Sequence, residues 1–159
     1  MTKVIVVCGP PGAGKTTFVG RKQRWGDLVI DVDRLYTALS GLDAHDNPVP
    51  LRECVLNCRE YLLDWLEDDE ELACAWVTTC APKRIQRNEY RDRYDAKVVV
   101  LEIPIEECLR RIIQDPERRA KHELWREWVE NWWNNYERDE RDIVHDTWKE
   151  TETGSTETD

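Results

Sequence analysis

The sequence of 159 residues is poor in the residue patterns on which many catalytic and disulfide-linked proteins depend. It has three histidines, His45, His122 and His145, and none belongs to a catalytic pattern. Its six cysteines include no Cys-x-x-Cys pair and stand mostly in apolar segments. We therefore interpret them as reduced core residues rather than as zinc ligands or disulfides.

Long apolar runs are also missing from the sequence. No run approaches the roughly 20 residues that cross a membrane as a helix, so we expect no membrane partner. The first three residues lead directly into an apolar run, which leaves no room for a signal peptide. These absences predict a cytoplasmic protein with a single domain.

The net charge of −10 argues against non-specific binding of DNA over a broad surface. The charge is concentrated near the end of the chain, because residues 137–159 hold nine acidic and three basic side chains, a net of −6. The other 136 residues carry −4, so local basic clusters can still hold phosphates. We expect a folded domain over residues 1–142 and an acidic, disordered tail over residues 143–159.

One stretch carries a specific signature, Gly-x-x-x-x-Gly-Lys-Thr, between the apolar run at residues 4–7 and the start of a helix. Glycines allow the backbone to turn its N–H groups towards a phosphate, and the helix N-terminus favours the same anion. Lys15 is expected to bridge the β- and γ-phosphates of a nucleoside triphosphate, and Thr16 to bind Mg²⁺. The predicted phosphate-binding loop consists of Gly9, Pro10, Pro11, Gly12, Ala13, Gly14, Lys15, Thr16 and Thr17.

Strand-like and helix-like segments alternate along the chain, which predicts an α/β fold. Expected strands cover residues 4–7, 28–30, 72–77 and 97–103, and expected helices cover residues 15–24, 34–40, 51–68, 82–93, 104–114 and 122–141. This order indicates a three-layer P-loop NTPase fold, with a parallel sheet of four or five strands flanked by helices. Ligands are expected at the carboxyl ends of the strands.

Two carboxylates, Asp31 and Asp33, follow the second predicted strand. A carboxylate there can take a proton from an attacking hydroxyl or help to hold Mg²⁺. We favour Asp33 as the general base and as a metal ligand with Thr16, because it projects further beyond the sheet. The alternative is that Asp33 only caps the next helix. Asp31 and Arg34 are expected to contact the substrate.

Basic residues surround the helix break at Asp115 and Pro116, and we expect them to form a short helical lid over residues 110–121. Arginines on such a lid can neutralise the charge that develops in phosphoryl transfer, although exposed helices also carry arginines for solubility. The lid cluster consists of Arg110, Arg111, Arg118, Arg119 and Lys121.

A second set, Arg84, Arg87 and Arg91, recurs at helical spacing after the third strand. Arg84 and Arg87 are expected to contact an acceptor phosphate, with a solvated helix face as the alternative.

The last predicted helix has an apolar stripe with three tryptophans, which is typical of a helix that covers a sheet. The stripe consists of Leu124, Trp125, Trp128, Val129, Trp132 and Tyr136. Trp133 lies off this stripe, so we consider it a candidate for stacking on a base.

The order of these segments resembles the polynucleotide-kinase-like branch of P-loop kinases, including small phage-encoded members. The segments are the phosphate loop, the strand ending in Asp33, the Thr-rich third strand and the Val-Val-Val-Leu-Glu-Ile-Pro segment. The resemblance implies ATP and Mg²⁺ as cofactors, Asp33 as the general base, and Arg111 and Arg118 as catalytic contacts to the phosphates beside Lys15. For a phage-encoded member it also implies a location in the host cytoplasm.

The chain departs from this family at two positions. Thr78 and Thr79 follow the third strand, where such families usually place an acid that orients Mg²⁺. Tyr36 stands three residues beyond the expected base, where polynucleotide kinases hold the substrate phosphate with an arginine.

The sequence therefore predicts an ATP-dependent kinase that phosphorylates a hydroxyl of a nucleic acid, DNA or RNA, or of a nucleoside-like acceptor. An alternative is a small-molecule or nucleotide kinase, which the acidic charge favours. A third hypothesis is an NTP-hydrolysing switch or assembly protein with water as acceptor. The short chain and the missing acid after the third strand argue against a motor-type ATPase.

Overall fold

The computed structural model describes residues 1–145, which form a three-layer α/β fold around a five-stranded parallel sheet. The strands are β1 (Lys3–Cys8), β2 (Leu28–Ile30), β3 (Cys74–Thr79), β4 (Lys97–Leu101) and β5 (Ile143–His145). Their order across the sheet is β2-β3-β1-β4-β5. The predicted fold class is confirmed, and β1, the strand before the phosphate loop, lies at the centre of the sheet.

Helices cover both faces of the sheet. They are α1 (Lys15–Lys22), α2 (Val32–Ser40), α3 (Arg52–Glu67), α4 (Arg84–Tyr94), α5 (Ile105–Gln114), α6 (Pro116–Arg119) and α7 (His122–Asn135), with a 3₁₀ turn at Val49–Leu51. The last helix ends six residues earlier than predicted, because the backbone of Tyr136 is extended, with φ −69° and ψ 126°. Within residues 1–145, no helix is both long enough and apolar enough to cross a membrane.

The core has two halves, one on each face of the sheet. Side chains of β1 alternate between them, with Val4 and Val6 on one face and Ile5 and Val7 on the other. The first face packs against α3, α4 and Trp132, and the second against α1 and α5. All six cysteines are free, but only Cys8 and Cys108 are buried in the core as predicted; Cys58 and Cys74 are half-buried, and Cys54 and Cys80 are exposed.

The strand β5 corrects the predicted domain boundary at residue 142. Residues 143–145 were expected in a disordered tail, but they pair with β4 in parallel register, Ile143 opposite Val99 and His145 opposite Leu101. The segment before β5 is held by Asp142, which forms a fully buried ion pair with Arg87 (Nη2 to Oδ2, 2.9 Å). The rest of the predicted tail, residues 146–159, lies outside the described residues.

Candidate active site

A cleft of about 1450 Å³ opens at the carboxyl ends of the strands. Its walls come from the phosphate-binding loop, the ends of β2 and β3, and helices α1, α3, α5 and α7. The acidic side chains that line it are Asp31, Asp33 and Glu107. The basic side chains that line it are Lys15, Arg21, Lys22, Arg52, Arg59, Arg110, Arg111 and Arg118. A protein with net charge −10 thus has a cleft with an excess of positive charge, which suits an anionic ligand.

The phosphate-binding loop has the backbone that its glycines predicted. Gly12 and Gly14 have φ of 76° and 84°, a conformation that favours glycine, and Gly14 is the N-cap of α1. A Cβ atom at Gly12 would lie 2.8 Å from the carbonyl oxygen of Cys108, so the loop also passes too close to α5 for a side chain. Lys15 donates from Nζ to the carbonyl oxygens of Gly9 and Pro10, both at 2.9 Å, which holds its ammonium group at the loop.

Asp31 lies against the phosphate-binding loop rather than on the substrate side. Its Oδ2 accepts a hydrogen bond from the Thr16 hydroxyl at 2.7 Å, and its Oδ1 accepts one from the Arg34 backbone N–H at 3.1 Å. The side chain that caps α2 is thus Asp31, not Asp33. Asp31 lines the cleft, but it is only 3% exposed and both of its oxygens are used in these bonds, so its substrate contact stays a prediction.

The pair of Thr16 and Asp31 fits a magnesium ion. A hydroxyl and a carboxylate are hard oxygen donors of the kind Mg²⁺ prefers, and triphosphate oxygens commonly complete its coordination. Within residues 1–145 no group of three or more histidine, cysteine or acidic side chains forms a metal cluster. The predicted metal pair, Thr16 with Asp33, stays a prediction, and the carboxylate that contacts Thr16 is that of Asp31.

Asp33 lines the cleft and is more accessible, with 44% of its side chain exposed. Its Oδ1 accepts a hydrogen bond from Asn47 Nδ2 at 2.9 Å, and its Oδ2 lies 3.9 Å from His45 Nε2. Asp33 is thus oriented from one side and open on the other, as a proton acceptor requires. The neighbouring Arg34 donates to Gln23, the residue after α1 (Nη1 to Oε1, 3.3 Å). Arg34 is not part of the cleft wall, where a substrate contact was predicted for it.

The predicted lid is built by α5 and α6, and its arginines divide into two groups. Arg110, Arg111 and Arg118 line the cleft, whereas Arg119 and Lys121 do not. Arg111 donates from Nη1 to the carbonyl oxygen of Ala13 in the phosphate-binding loop at 3.0 Å. Hydrogen bonds from Arg110 and then Arg111 lower the pKa of Glu107 to about 2, so this carboxylate is ionised and pairs with both guanidinium groups.

A polar bridge connects the lid with the loop that follows α2. His45, which has a left-handed backbone with φ 67°, places its Nδ1 2.6 Å from Asp115 Oδ2. Asp115 caps α6 and accepts from Arg118 Nε at 3.1 Å. Asp33, His45, Asp115 and Arg118 therefore form one chain of contacts, which the sequence did not suggest because its members lie up to 85 residues apart.

The arginines of α4 do not reach the cleft. Arg87 is fully buried, pairs with Asp142, and donates to the carbonyl oxygens of Ala81 at 2.9 Å and Pro82 at 2.7 Å. Arg84 is exposed and lies 3.6 Å from Glu137 (Nε to Oε2), outside the cleft wall. The structure contradicts the predicted phosphate contacts of both, because their helix face meets the acidic segment that follows α7.

Two groups of side chains in the cleft wall were missed. One comes from α3 and the other from α7, where part of the apolar stripe faces the cleft instead of the core. Trp133, the candidate for base stacking, donates from Nε1 to the carbonyl oxygen of Ile103 at 3.2 Å and packs against the core. The members of these two groups are Arg52, Leu56 and Arg59 of α3 and Trp125, Trp128, Asn131 and Trp132 of α7.

Comparisons with known proteins place the chain by its fold. No protein-family model and no curated protein matches the sequence. A gluconokinase from Sinorhizobium meliloti 1021 has a TM-score of 0.52 at 16% identity, over 90% of this chain and 81% of its own. The protein APE1195 has a TM-score of 0.55 at 22% identity, over 97% of this chain and 88% of its own.

A chain of the Pnkp1/Rnl/Hen1 RNA repair complex is similar over 86% of this chain but only 46% of its own length, with a TM-score of 0.55 at 16% identity. At these identities the likeness establishes the fold alone and not the acceptor.

Proposed function

We propose that the chain is an ATP-dependent kinase that transfers the γ-phosphate to a hydroxyl of a nucleic acid or nucleoside-like acceptor. The observation that carries this proposal is that Lys15 of the phosphate-binding loop and the accessible carboxylate of Asp33 line one cleft. Phosphoryl transfer to a hydroxyl requires a nucleotide-binding group and a general base in the same site.

The phosphate-binding loop would hold the triphosphate. Its backbone N–H groups and the N-terminus of α1 favour an anion, and Lys15 adds a positive charge. Thr16 and Asp31 would hold Mg²⁺, which neutralises phosphate charge when it is bound.

The transfer step assigns a role to each remaining group. The acceptor hydroxyl oxygen forms a bond to the γ-phosphorus, the bond between that phosphorus and the β,γ-bridging oxygen breaks, and ADP leaves. The hydroxyl proton passes to the Asp33 carboxylate. Arg111 and Arg118, which line the same cleft, balance the negative charge on the transferred group.

A small-molecule acceptor is the second candidate. The acidic surface provides no broad basic track for a polymer. One of the similar structures is a gluconokinase, whose fold this chain shares. Water as the acceptor is less well supported, because β3 ends in Thr78 and Thr79 and is followed by Cys80 rather than by an acid.

The test uses γ-labelled ATP and Mg²⁺ with 5′-hydroxyl oligonucleotides, nucleosides, base-modified DNA and small alcohols. We expect label on one acceptor class, slow hydrolysis without acceptor, and complete loss of transfer in Lys15→Ala. If folded protein gives no binding heat on titration with ATP and Mg²⁺, the proposal is wrong.

A further inference from the structure

The cleft is larger than one nucleotide requires. Ligand pockets commonly have volumes of about 300–1,000 Å³, and this one has about 1450 Å³. A second ligand can therefore lie beside the nucleotide, and two walls of the cleft have no role in the scheme above.

The first wall is cationic and belongs to α3. Arg52, Leu56 and Arg59 stand at positions i, i+4 and i+7, so they share one helix face, and all three line the cleft. Arg59 is fixed by Tyr90, whose hydroxyl oxygen lies 2.5 Å from its Nη2. Arg52 is exposed, and within residues 1–145 no carboxylate forms an ion pair with it. This wall offers Arg52 as a free cation.

The second wall is aromatic and belongs to α7. Trp125 and Trp128 form an edge-to-face pair with ring centroids 4.9 Å apart, and the Arg118 guanidinium lies 5.6 Å from the Trp125 ring centroid. Trp125 is thus fixed from two sides, while Trp128 is 44% exposed at the cleft. An aromatic side chain held by a rigid neighbour and open to a cleft is a stacking platform for a planar ring.

Both walls flank the side of the cleft that contains Asp33. The strands β2 and β3 lie on one side of β1, and Asp33 follows β2. Helix α3 packs against α2, which carries Asp33. Helix α7 is tied to the end of β3 by Trp132, whose Nε1 donates to the carbonyl oxygen of Cys80 at 2.7 Å.

The residues one and three positions after the base offer no free cation to an acceptor. Tyr36 is buried, and Arg34 turns towards Gln23. On the side of the cleft where α3 packs against α2, Arg52 is therefore a free cation available to an anionic group of the acceptor.

We propose that the acceptor is a nucleoside phosphate, held with its base on Trp128 and its phosphate at Arg52, so that these two residues determine acceptor specificity. This inference rests on the proposed kinase function. The shared chemistry is a nucleoside with a free hydroxyl and a phosphate, which occurs both as a free nucleotide and at the 5′-hydroxyl end of a strand.

The test is isothermal titration of the full chain, first saturated with a non-hydrolysable ATP analogue and Mg²⁺. Adenosine 3′-monophosphate should bind more tightly than adenosine, which lacks the phosphate, and than glycerol 2-phosphate, which lacks the base. Trp128→Ala should weaken binding of the nucleotide about 10-fold or more, the order found for loss of base stacking, and Trp128→Phe should retain most of it. Arg52→Gln should weaken nucleotide binding but not adenosine binding.

Matched controls come from outside the cleft. Trp65→Ala removes a tryptophan of equal exposure, 45%, on the outer surface of α3, and Arg24→Gln removes an exposed cation after α1. Neither should change the dissociation constant. A short 5′-hydroxyl oligonucleotide that binds more tightly than the free nucleotide would identify the strand end as the source, and the reverse would identify the free nucleotide.

The inference is overturned if the nucleotide binds no better than adenosine and glycerol 2-phosphate, or if Trp128→Ala and Arg52→Gln behave like their controls. Binding of the ATP analogue is measured in the same experiment. Its absence would refute the kinase function itself, whereas bound analogue without acceptor discrimination would refute the subsite alone.

Discussion

The two halves of the cleft are built in different ways. The phosphate half is one continuous loop, Gly9 to Thr17, in which backbone N–H groups and one lysine form the site. The acceptor half is assembled from side chains of α3, α7 and the loop after α2, which meet only when the sheet forms. A site made of backbone groups tolerates few substitutions, because one change in backbone conformation displaces several of its N–H groups together. A site of separate side chains can lose one member and keep the others.

The largest effect is expected from a single methyl group in the phosphate half. Gly12→Ala places a Cβ 2.8 Å from the Cys108 carbonyl oxygen at a residue with φ 76°. We expect loss of measurable ATP binding in titration calorimetry. Gly26→Ala is the matched control, because Gly26 has φ 90° but nothing within 4 Å of an added Cβ. It should cost about 1–2 kcal/mol of stability and leave ATP binding intact, and equal ATP affinity in both variants would contradict this account.

The same contrast explains what the sequence could predict. The phosphate-binding loop is local, so motif and flanking pattern identified its residues and its backbone conformation. The strand β5 was missed because Ile143–His145 is too short to show a pattern, and because Asp142, the residue before it, is held by Arg87, which is 55 residues away in the sequence.

The arginine and tryptophan patterns show why the acceptor half could not be predicted from the sequence. Helical spacing correctly grouped Arg84 with Arg87 on α4 and Trp128 with Trp132 on α7. It could not indicate that the first pair meets the acidic segment after α7, nor that both tryptophans line the cleft, with Trp132 buried and Trp128 exposed. Periodicity gives a face of a helix, and the partner of that face is decided by tertiary packing.

The next largest effect concerns Arg87, which separates structural from functional arginines. Arg87→Ala removes one of the two arginines that pair with the buried Asp142 and leaves Arg91 as the other, so it should destabilise the fold by up to about 3–5 kcal/mol. Arg84→Ala on the same helix removes only an exposed pair and should cost less than about 1 kcal/mol. Urea unfolding of both variants measures the difference. A similar midpoint for the two would show that Asp142 is not held by Arg87.

A smaller but specific effect is expected from the two carboxylates after β2. Asp33→Asn removes the proton acceptor and should lower turnover about 100-fold or more, with ATP affinity nearly unchanged. Asp31→Asn instead weakens the pair with Thr16, so it should raise the Mg²⁺ concentration needed for half-maximal activity. Steady-state rates at varied Mg²⁺ distinguish the two roles. Unchanged turnover in Asp33→Asn would remove this residue as the base.

The smallest effect tests whether the acceptor half is coupled to the lid. His45 lies between Asp33 and Asp115, and asparagine tolerates its left-handed backbone, so His45→Asn removes the ring with little added strain. Asp33 keeps its hydrogen bond from Asn47, and the loss of one orienting contact should lower kcat about 2–10-fold without a change in KM for ATP. Asn47→Ala is the comparison, since it removes the other contact to Asp33 and leaves Asp115 untouched. If His45→Asn changes KM for ATP while Asn47→Ala does not, His45 acts through Asp115 and the lid rather than through the base.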